Sequence, residues 1–466
     1  EPDPGFVPSP ELNAEQNEAL AHALSARDLA LIHGPPGTGK TTVLAELIVR
    51  AVGRGERVLV TAASNMAVDN VLARLVDRPG LRLLRLGHVA RVTEELLPWT
   101  LDEQLEADHS QQIAREMLDE AHALLSRARK QTARGRSADR FAEAREARAA
   151  AARLFSEARR LMRGTRDRMV ESARVVCATC TGTEVELLGG QLFDLAVIDE
   201  ATQATEPAAL LPLLRAGKAV LAGDHLQLPP TVLSPEAGRA GLSRSLFERM
   251  LELHGPGIGR MLREQYRMHR TIMGFPSREL YGDELRAHPS VAAHLLPQLP
   301  GVASTDWTAT PLCFLDTAGK GFEDELPEGS ESHRNPGEAA LVARKVRELL
   351  QAGLAPRQIS VIAPYDAQVQ ALRALLPEEG LEIDTVDGFQ GRENEAVVVS
   401  LTRSNGAAQV GFLADLRRMN VAITRARRRL LVVGDSATVS AHPFYRDFID
   451  YVTANGGYRS AWEEPE

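Results

Sequence analysis

Short runs of β-branched and leucine residues, each ending on a polar or glycine position, recur along the chain between stretches of helical periodicity. In the first half they are Leu29 to His33, Arg57 to Thr61, Arg174 to Ala178, Asp194 to Asp199 and Ala219 to Gly223. Nearly continuous apolar strands alternating with helices predict a parallel, doubly wound sheet covered on both faces. After a Gly255-Pro256-Gly257 break comes a second series: Leu312 to Asp316, Ile359 to Ala363, Glu382 to Val386, Glu395 to Leu401 and Leu430 to Gly434. These alternate with amphipathic segments such as Glu338 to Leu350, so two α/β domains joined near residue 255 are expected.

One segment breaks the alternation. From about Thr100 to Val170 the chain is poor in β-branched residues and rich in Ala, Arg, Glu and Leu. That composition predicts long helices, arranged as an antiparallel hairpin turning near Gly135.

Charge distribution sharpens the picture of this segment. The whole chain carries 54 Lys and Arg against 63 Asp and Glu, a net of −9. Between Arg127 and Arg168 there are 14 Lys and Arg against 5 Asp and Glu, a local balance of +9. Two readings stand: a solvated face in an arginine-rich protein, or an arm that tracks phosphates.

Composition bounds the class. At 466 residues the chain is long enough for two to four domains with sizeable cores. Three cysteines, at 177, 180 and 313, form no disulfide framework, which points to a reducing, cytoplasmic location. Cys177 and Cys180 make a C-x-x-C, but a zinc site needs four ligands and no second cysteine pair exists. No apolar run approaches the roughly 18 residues that span a membrane, and the opening Glu1-Pro2-Asp3-Pro4 resembles no signal segment. No membrane partner is expected.

The strongest chemical signal is Gly34-Pro35-Pro36-Gly37-Thr38-Gly39-Lys40-Thr41-Thr42, between a predicted strand and the helical pattern Val43 to Val52. This is a P-loop in its confirming context. Glycines let backbone N–H groups converge on phosphates, Lys40 reaches the β and γ phosphates, and Thr41 can hold Mg²⁺. Leu195-Ala196-Val197-Ile198-Asp199-Glu200 supplies the partner acids at the end of a predicted buried strand. Asp199 is placed to bind Mg²⁺ and Glu200 to polarise an attacking water, which favours hydrolysis of ATP over transfer to an acceptor. A P-loop kinase would need an acceptor pocket for which the sequence offers no support.

Further segments resemble, in order and across nearly the whole chain, the superfamily 1 (subgroup B) helicases of the Upf-like type, the group with the nonsense-mediated-decay and immunoglobulin-mu-binding helicases. Leu12-Asn13-Ala14-Glu15-Gln16 resembles their Q motif, Ala63-Ser64-Asn65 to Asn70 their motif Ia, and Cys177 to Gly182 the strand-binding motif after it. Gly223-Asp224-His225-Leu226-Gln227 to Pro230 is similar to motif III, and Leu262 to Met268 to motif IV. Thr385 to Glu393 resembles motif V, and Asn420 to Arg427 motif VI.

The resemblance implies two tandem RecA-like domains, at residues 1–99 with 171–255 and at 256–466, with 100–170 as a helical insertion in the first. It implies ATP in the cleft between them. Gln16 would read adenine, Tyr266 would stack on it, and Glu393 would accept from the ribose hydroxyls. Gln227 would sense the γ-phosphate, and Arg267 and Arg425 would stabilise transition-state charge. Ser64, Asn65, Thr179, Thr181 and Thr385 would contact the backbone of single-stranded DNA or RNA. With aromatics at only 5%, binding should be backbone-dominated and sequence-tolerant.

The expected activity is a monomeric, ATP- and Mg²⁺-dependent translocase that moves 5′-to-3′ and unwinds duplex. Family members usually carry a small β-barrel and stalk before the Q motif, whereas eleven residues precede Leu12, so the barrel is read as cut away or absent. That departure motivates the alternative of a nucleic-acid-stimulated ATPase scaffold or switch without processive unwinding.

Overall fold

The computed structural model describes residues 5–133, 138–184, 188–389 and 391–464. The chain divides into two compact units. One holds the residues up to Ser9, Leu20–Ala30 and Thr41–Leu221; the other holds Pro10–Ala19, Leu31–Lys40 and the chain from Ala222 onward.

The first unit is built on a parallel sheet of β1 (Leu29–His33), β2 (Val58–Ala62), β3 (Leu83–Arg85), β4 (Val175–Thr179), β5 (Phe193–Asp199) and β6 (Ala216–Gly223), in the order β3-β4-β2-β5-β6-β1. β1 and β6 begin in this unit and end in the other. Val58 to Ala62 pair with Val175 to Thr179 on one side and with Leu195 to Asp199 on the other, which ends β4 and β5 at the same level. β2 is buried throughout, which explains why its run is apolar without alternation. β3, only three residues long, gave too little periodicity to be expected from sequence.

The helices α1 (Ala14–Ser25), α2 (Lys40–Gly53) and α3 (Asn65–Ala73) precede β3, and between β3 and β4 the chain forms α4 (Leu101–Ala107), α5 (His109–Ala133) and α6 (Ala138–Ser172). α5 and α6 pack along an alanine seam. Ala114, Ala121 and Ala128 on α5, and Ala144, Ala151, Ala158 and Thr165 on α6, are buried at seven-residue intervals. A heptad spacing keeps one stripe of each helix on its partner, and a methyl group at that position lets the backbones come close. Leu118, Leu125, Leu154 and Leu161 flank the seam, partly buried. The Gln111 Nε2 donates across it to the Met162 carbonyl at 3.1 Å. The turn expected near Gly135 lies outside the described residues.

In the second unit, β7 (Gly259–Met261) pairs in parallel with the end of β1, and β8 (Glu264–Gln265) pairs with β9 (Arg286–Ala287). A second parallel sheet contains β10 (Leu312–Asp316), β11 (Ile359–Ala363), β12 (Glu382–Thr385), β13 (Asn394–Ser400), β14 (Ala426–Gly434) and β15 (Tyr458–Ser460), ordered β12-β11-β13-β14-β10-β15. Successive strand residues enter different cores. Phe314, Val397, Val399, Leu430 and Val432 join one; Leu315, Ala396, Val398, Leu431 and Val433 join the other. Both faces are therefore covered, as a period of two requires when helices pack on each side. No described helix is long and apolar enough to cross a membrane.

Candidate nucleotide-binding site

The phosphate loop begins where β1 ends, at His33, and α2 (Lys40–Gly53) begins at its lysine. Within the second unit Gly37 has φ +75° and Gly39 φ +78°, left-handed conformations that side chains rarely adopt. A Cβ on Gly37 would also lie 2.6 Å from the Cβ of Arg267. Thr38 closes the loop: its Oγ1 donates to the Pro35 carbonyl at 2.7 Å. Gly34 N donates to the Gly223 carbonyl at 3.0 Å, tying the loop entrance to the end of β6.

Gln16 is buried against this loop. Its Nε2 donates to the Thr38 carbonyl at 2.9 Å, and its Oε1 accepts from Asn13 N. Gln16 thus braces the loop, a contact separate from the adenine reading expected of it. The Tyr266 hydroxyl donates to Glu264 at 2.7 Å and accepts from Asn13 Nδ2 at 2.9 Å, while its ring sits 4.6 Å from that of His288. Tyr266 N donates to the Gly37 carbonyl at 2.8 Å, so the segment carrying Tyr266 and Arg267 is hydrogen-bonded to the loop.

The two expected arginines of the second unit are both held. Arg267 donates to the Thr424 carbonyl at 3.0 Å and forms an ion pair with Glu393. The other Glu393 oxygen accepts from Arg427 at 2.6 Å. Burial works to raise the Glu393 pKa, but the charge of Arg267, then the hydrogen bond and charge of Arg427, hold it below the usual carboxylate range. A ribose hydroxyl would share this carboxylate with the two guanidinium groups that already engage it. Arg425 is almost fully buried. It donates to the Val421 and Arg392 carbonyls and, through Nη2, to Gln227 Oε1 at 2.9 Å.

Gln227 in turn donates through Nε2 to Asp224 Oδ2 at 2.6 Å. Asp224 is the hub that sequence reasoning missed. It also accepts from Leu226 N at 3.1 Å and the Tyr281 hydroxyl at 2.7 Å, and lies 3.0 Å from His33 Nε2. Burial alone would raise its pKa; the His33 hydrogen bond and charge, with Tyr281 and Gln227, bring it down to about 2. His33, Asp224 and His225 have a metal-ligand composition, with ligand atoms within 4.8 Å of one another. The four donors around Asp224 occupy its lone-pair directions, which favours a hydrogen-bonded hub over a metal site. Asp224 stood inside the motif III segment, but Tyr281 lies in no motif, so nothing in the sequence marked it.

In the first unit, Thr41 follows directly on Lys40, and its Oγ1 lies 3.4 Å from Asp199 Oδ2. Glu200, next along, has φ +48°, an uncommon conformation for a side chain with a Cβ. Its N donates to Asp199 Oδ1 at 2.8 Å, and its Oε2 accepts from Gln203 Nε2 at 2.7 Å. Thr42 in this unit is partly buried, and Pro35 in the second unit is buried.

The candidate nucleic-acid residues are divided. Ser64 caps α3 (Asn65–Ala73), accepting from Ala67 N at 3.2 Å, and Thr179 Oγ1 accepts from Gly182 N at 3.1 Å. Both therefore have structural work at a helix start or turn. Asn65 Oδ1 accepts from Arg85, which is buried and paired with Asp69. Thr181 is exposed in the first unit, and Thr385 is half-buried at the end of β12 in the second. Cys177 and Cys180 are buried, which raises their thiols to about 12 and about 11 and keeps them neutral.

A phosphate loop between strand and helix, a strand-ending aspartate facing the threonine after its lysine, and two parallel sheets define the P-loop class of nucleotide-binding proteins. Two family models, each described as an AAA domain, match residues 11–235 and 242–437. The chain is 40% identical over 453 residues to the DNA polymerase alpha-associated DNA helicase A of Schizosaccharomyces pombe, covering 96% of this chain and 67% of that protein. It is 35% identical over 478 residues to an uncharacterized ATP-dependent helicase of Methanocaldococcus jannaschii, covering 94% and 70%. The chain belongs to the superfamily 1 helicases of the Upf-like type, a family that uses nucleotide. It is 45% identical over 458 residues to the DNA-binding protein SMUBP-2 of Mesocricetus auratus, covering 97% of this chain and 46% of that protein. The chain thus spans about half the length of that relative.

Proposed function

We propose that this chain hydrolyses ATP with Mg²⁺ and uses the cycle to move along single-stranded DNA or RNA, 5′-to-3′, displacing a paired strand as it goes. The observation that carries the reading is the Thr41 hydroxyl held 3.4 Å from Asp199, immediately after a loop whose Gly37 and Gly39 are in left-handed conformations. A hydroxyl and a carboxylate are the hard oxygen donors that suit Mg²⁺, which when bound would neutralise phosphate charge.

The chain's own residues supply the rest. Lys40 would counter the β and γ phosphates, with backbone N–H groups of Gly37 to Thr42 around them. Glu200, fixed by its backbone conformation and by Gln203, would orient the attacking water. Gln227, Arg267 and Arg425 would meet the γ-phosphate, their present partners being exchanged for phosphate oxygens. Tyr266 and Gln16 would face the base, and Glu393 the ribose.

Asn65, Thr181 and Thr385 would hold the strand, with Ser64 and Thr179 acting through the turns they cap. We also assign residues 100–170 as an insertion in a first domain ending near residue 255, a monomeric state, and an intracellular, cytoplasmic location. The test is ATPase activity with and without single strands, on this chain and on Lys40→Ala. Strand-stimulated turnover abolished by the substitution is expected; turnover indifferent to either overturns the reading. Strand displacement on tailed duplexes then separates a helicase from an ATPase switch.

A further inference from the structure

Gln227 is tied into a hydrogen-bond network. Its amide is oriented at both ends: Nε2 by Asp224 at 2.6 Å, Oε1 by Arg425 at 2.9 Å. Asp224 is only 1% exposed, so its own position depends on the protein donors around it. The Tyr281 hydroxyl donates to it at 2.7 Å and accepts from Asn420 Nδ2 at 2.8 Å. Asn420 Nδ2 also donates to the Leu226 carbonyl at 2.8 Å. On the remaining side His33, the last residue of β1 before the phosphate loop, lies 3.0 Å from Oδ1.

These contacts form a closed chain, all in the second unit, from the loop entrance through Asp224 and Gln227 to Arg425. Tyr281 and His33 are linked to Gln227 through the Asp224 carboxylate that all three share. Tyr281 is 3% exposed, and its hydroxyl is hydrogen-bonded on both sides, to Asp224 and Asn420. A carboxylate with four donors has one low-energy orientation; with a donor removed, it can rotate and take Gln227 with it.

We propose that Tyr281 and His33 are positioning residues for ATP hydrolysis: by fixing the Asp224 carboxylate they set the amide orientation of Gln227 and, through it, the Arg425 guanidinium. The inference rests on the reading of Gln227 and Arg425 as γ-phosphate groups. It goes beyond that reading by naming a buried tyrosine and a partly buried histidine, neither within the P-loop motif, that act through a shared carboxylate. Because the network shapes groups that act on the γ-phosphate, its loss should lower kcat and spare the KM for ATP.

The experiment is a double-mutant cycle on ATP turnover, with Tyr281→Phe and Gln227→Ala singly and together. Tyr281→Phe keeps the ring and removes the one donor. Its kcat is expected to fall roughly tenfold with KM within about twofold, as for loss of a preorganised donor. In the Gln227→Ala background the same substitution should change kcat by less than about twofold, because the group it positions is gone. A role in stability alone would lower activity equally in both backgrounds; that result, or an unchanged kcat in Tyr281→Phe, overturns the proposal. If Gln227→Ala itself turns over normally, the catalytic reading of Gln227 fails and the proposal with it. His33→Phe, which removes a different donor from the same carboxylate and keeps a ring there, should repeat the pattern. It decides the matter should Tyr281→Phe fold poorly.

Discussion

Glu338 is fully buried near the start of the helix Pro336–Gln351, an unusual place for a carboxylate. Its Oε1 accepts from Ser400 Oγ at 2.5 Å and Thr402 N at 2.8 Å, while Oε2 has no hydrogen-bond partner among the described residues. Burial pushes its pKa up to about 7 from an ordinary 4.5; the Ser400 and Thr402 hydrogen bonds oppose this, and Asp435 and Asp324 add to it. The folded state therefore holds the proton through a range where the unfolded chain has released it. Stability is complete below about pH 4.5 and is lost as pH rises towards 7.

At 1.36 kcal/mol per unit, a shift from 4.5 to about 7 amounts to about 3 kcal/mol. Glu338→Gln keeps an acceptor for Ser400 and Thr402 and cannot ionise. Thermal unfolding of both proteins at several pH values between 4.5 and 8 would isolate the contribution. The gap between variant and parent should open by about 3 kcal/mol towards high pH, equivalent to about 6–12 °C in Tm for a unit of this size. Parallel stability curves would refute the buried-proton reasoning, and a variant that loses stability at every pH would place the worth of Glu338 in its hydrogen bonds.

Other outcomes follow from features of the first unit. Asp69→Ala strands Arg85, which is 0% exposed, and should cost about 3–5 kcal/mol by thermal unfolding; joint replacement by Leu and Met should cost much less. Ala151→Leu overfills the α5–α6 seam and should destabilise by about 1–3 kcal/mol, whereas Ala152→Leu on the exposed neighbour should be near neutral. Reversing the exposed Arg159 and Arg163 to Glu should flatten the dependence of single-strand affinity on log salt by at least about 1.4 if both meet phosphates. An unchanged slope in titrations across salt would make the tract a solvated face.

The strands that carry the site were legible in the sequence because they are long, apolar and end on chemically marked residues: His33 before the loop, Asp199, and Gly223. The small strands β3, β7, β8, β9 and β15 were not, since two or three residues carry no period. Residues 100–170 were read as long helices from composition, yet the alanines at every seventh position, which fix how α5 and α6 meet, passed unnoticed among so many other alanines. At the candidate site, the meeting of Thr41 with Asp199 was legible from local pattern alone. The Tyr281–Asp224 hydrogen bond was not, because it joins residues 57 positions apart in the chain. The engagement of Glu393 by Arg267 and Arg427 was hidden for the same reason.

The alanine seam has a consequence for how this protein can change. A helix pair held by bulky interlocking side chains commits much of its surface to packing, and each substitution there must be answered by another. Here the tightest constraint falls on one small residue per heptad, so most outward positions answer only to solvent and to whatever approaches them. Charge on α5 and α6 can therefore drift, accumulate or reverse with little effect on folding. That freedom allows an acidic chain to carry a strongly basic segment, and lets its electrostatics follow the demands of a partner while the seam stays the same.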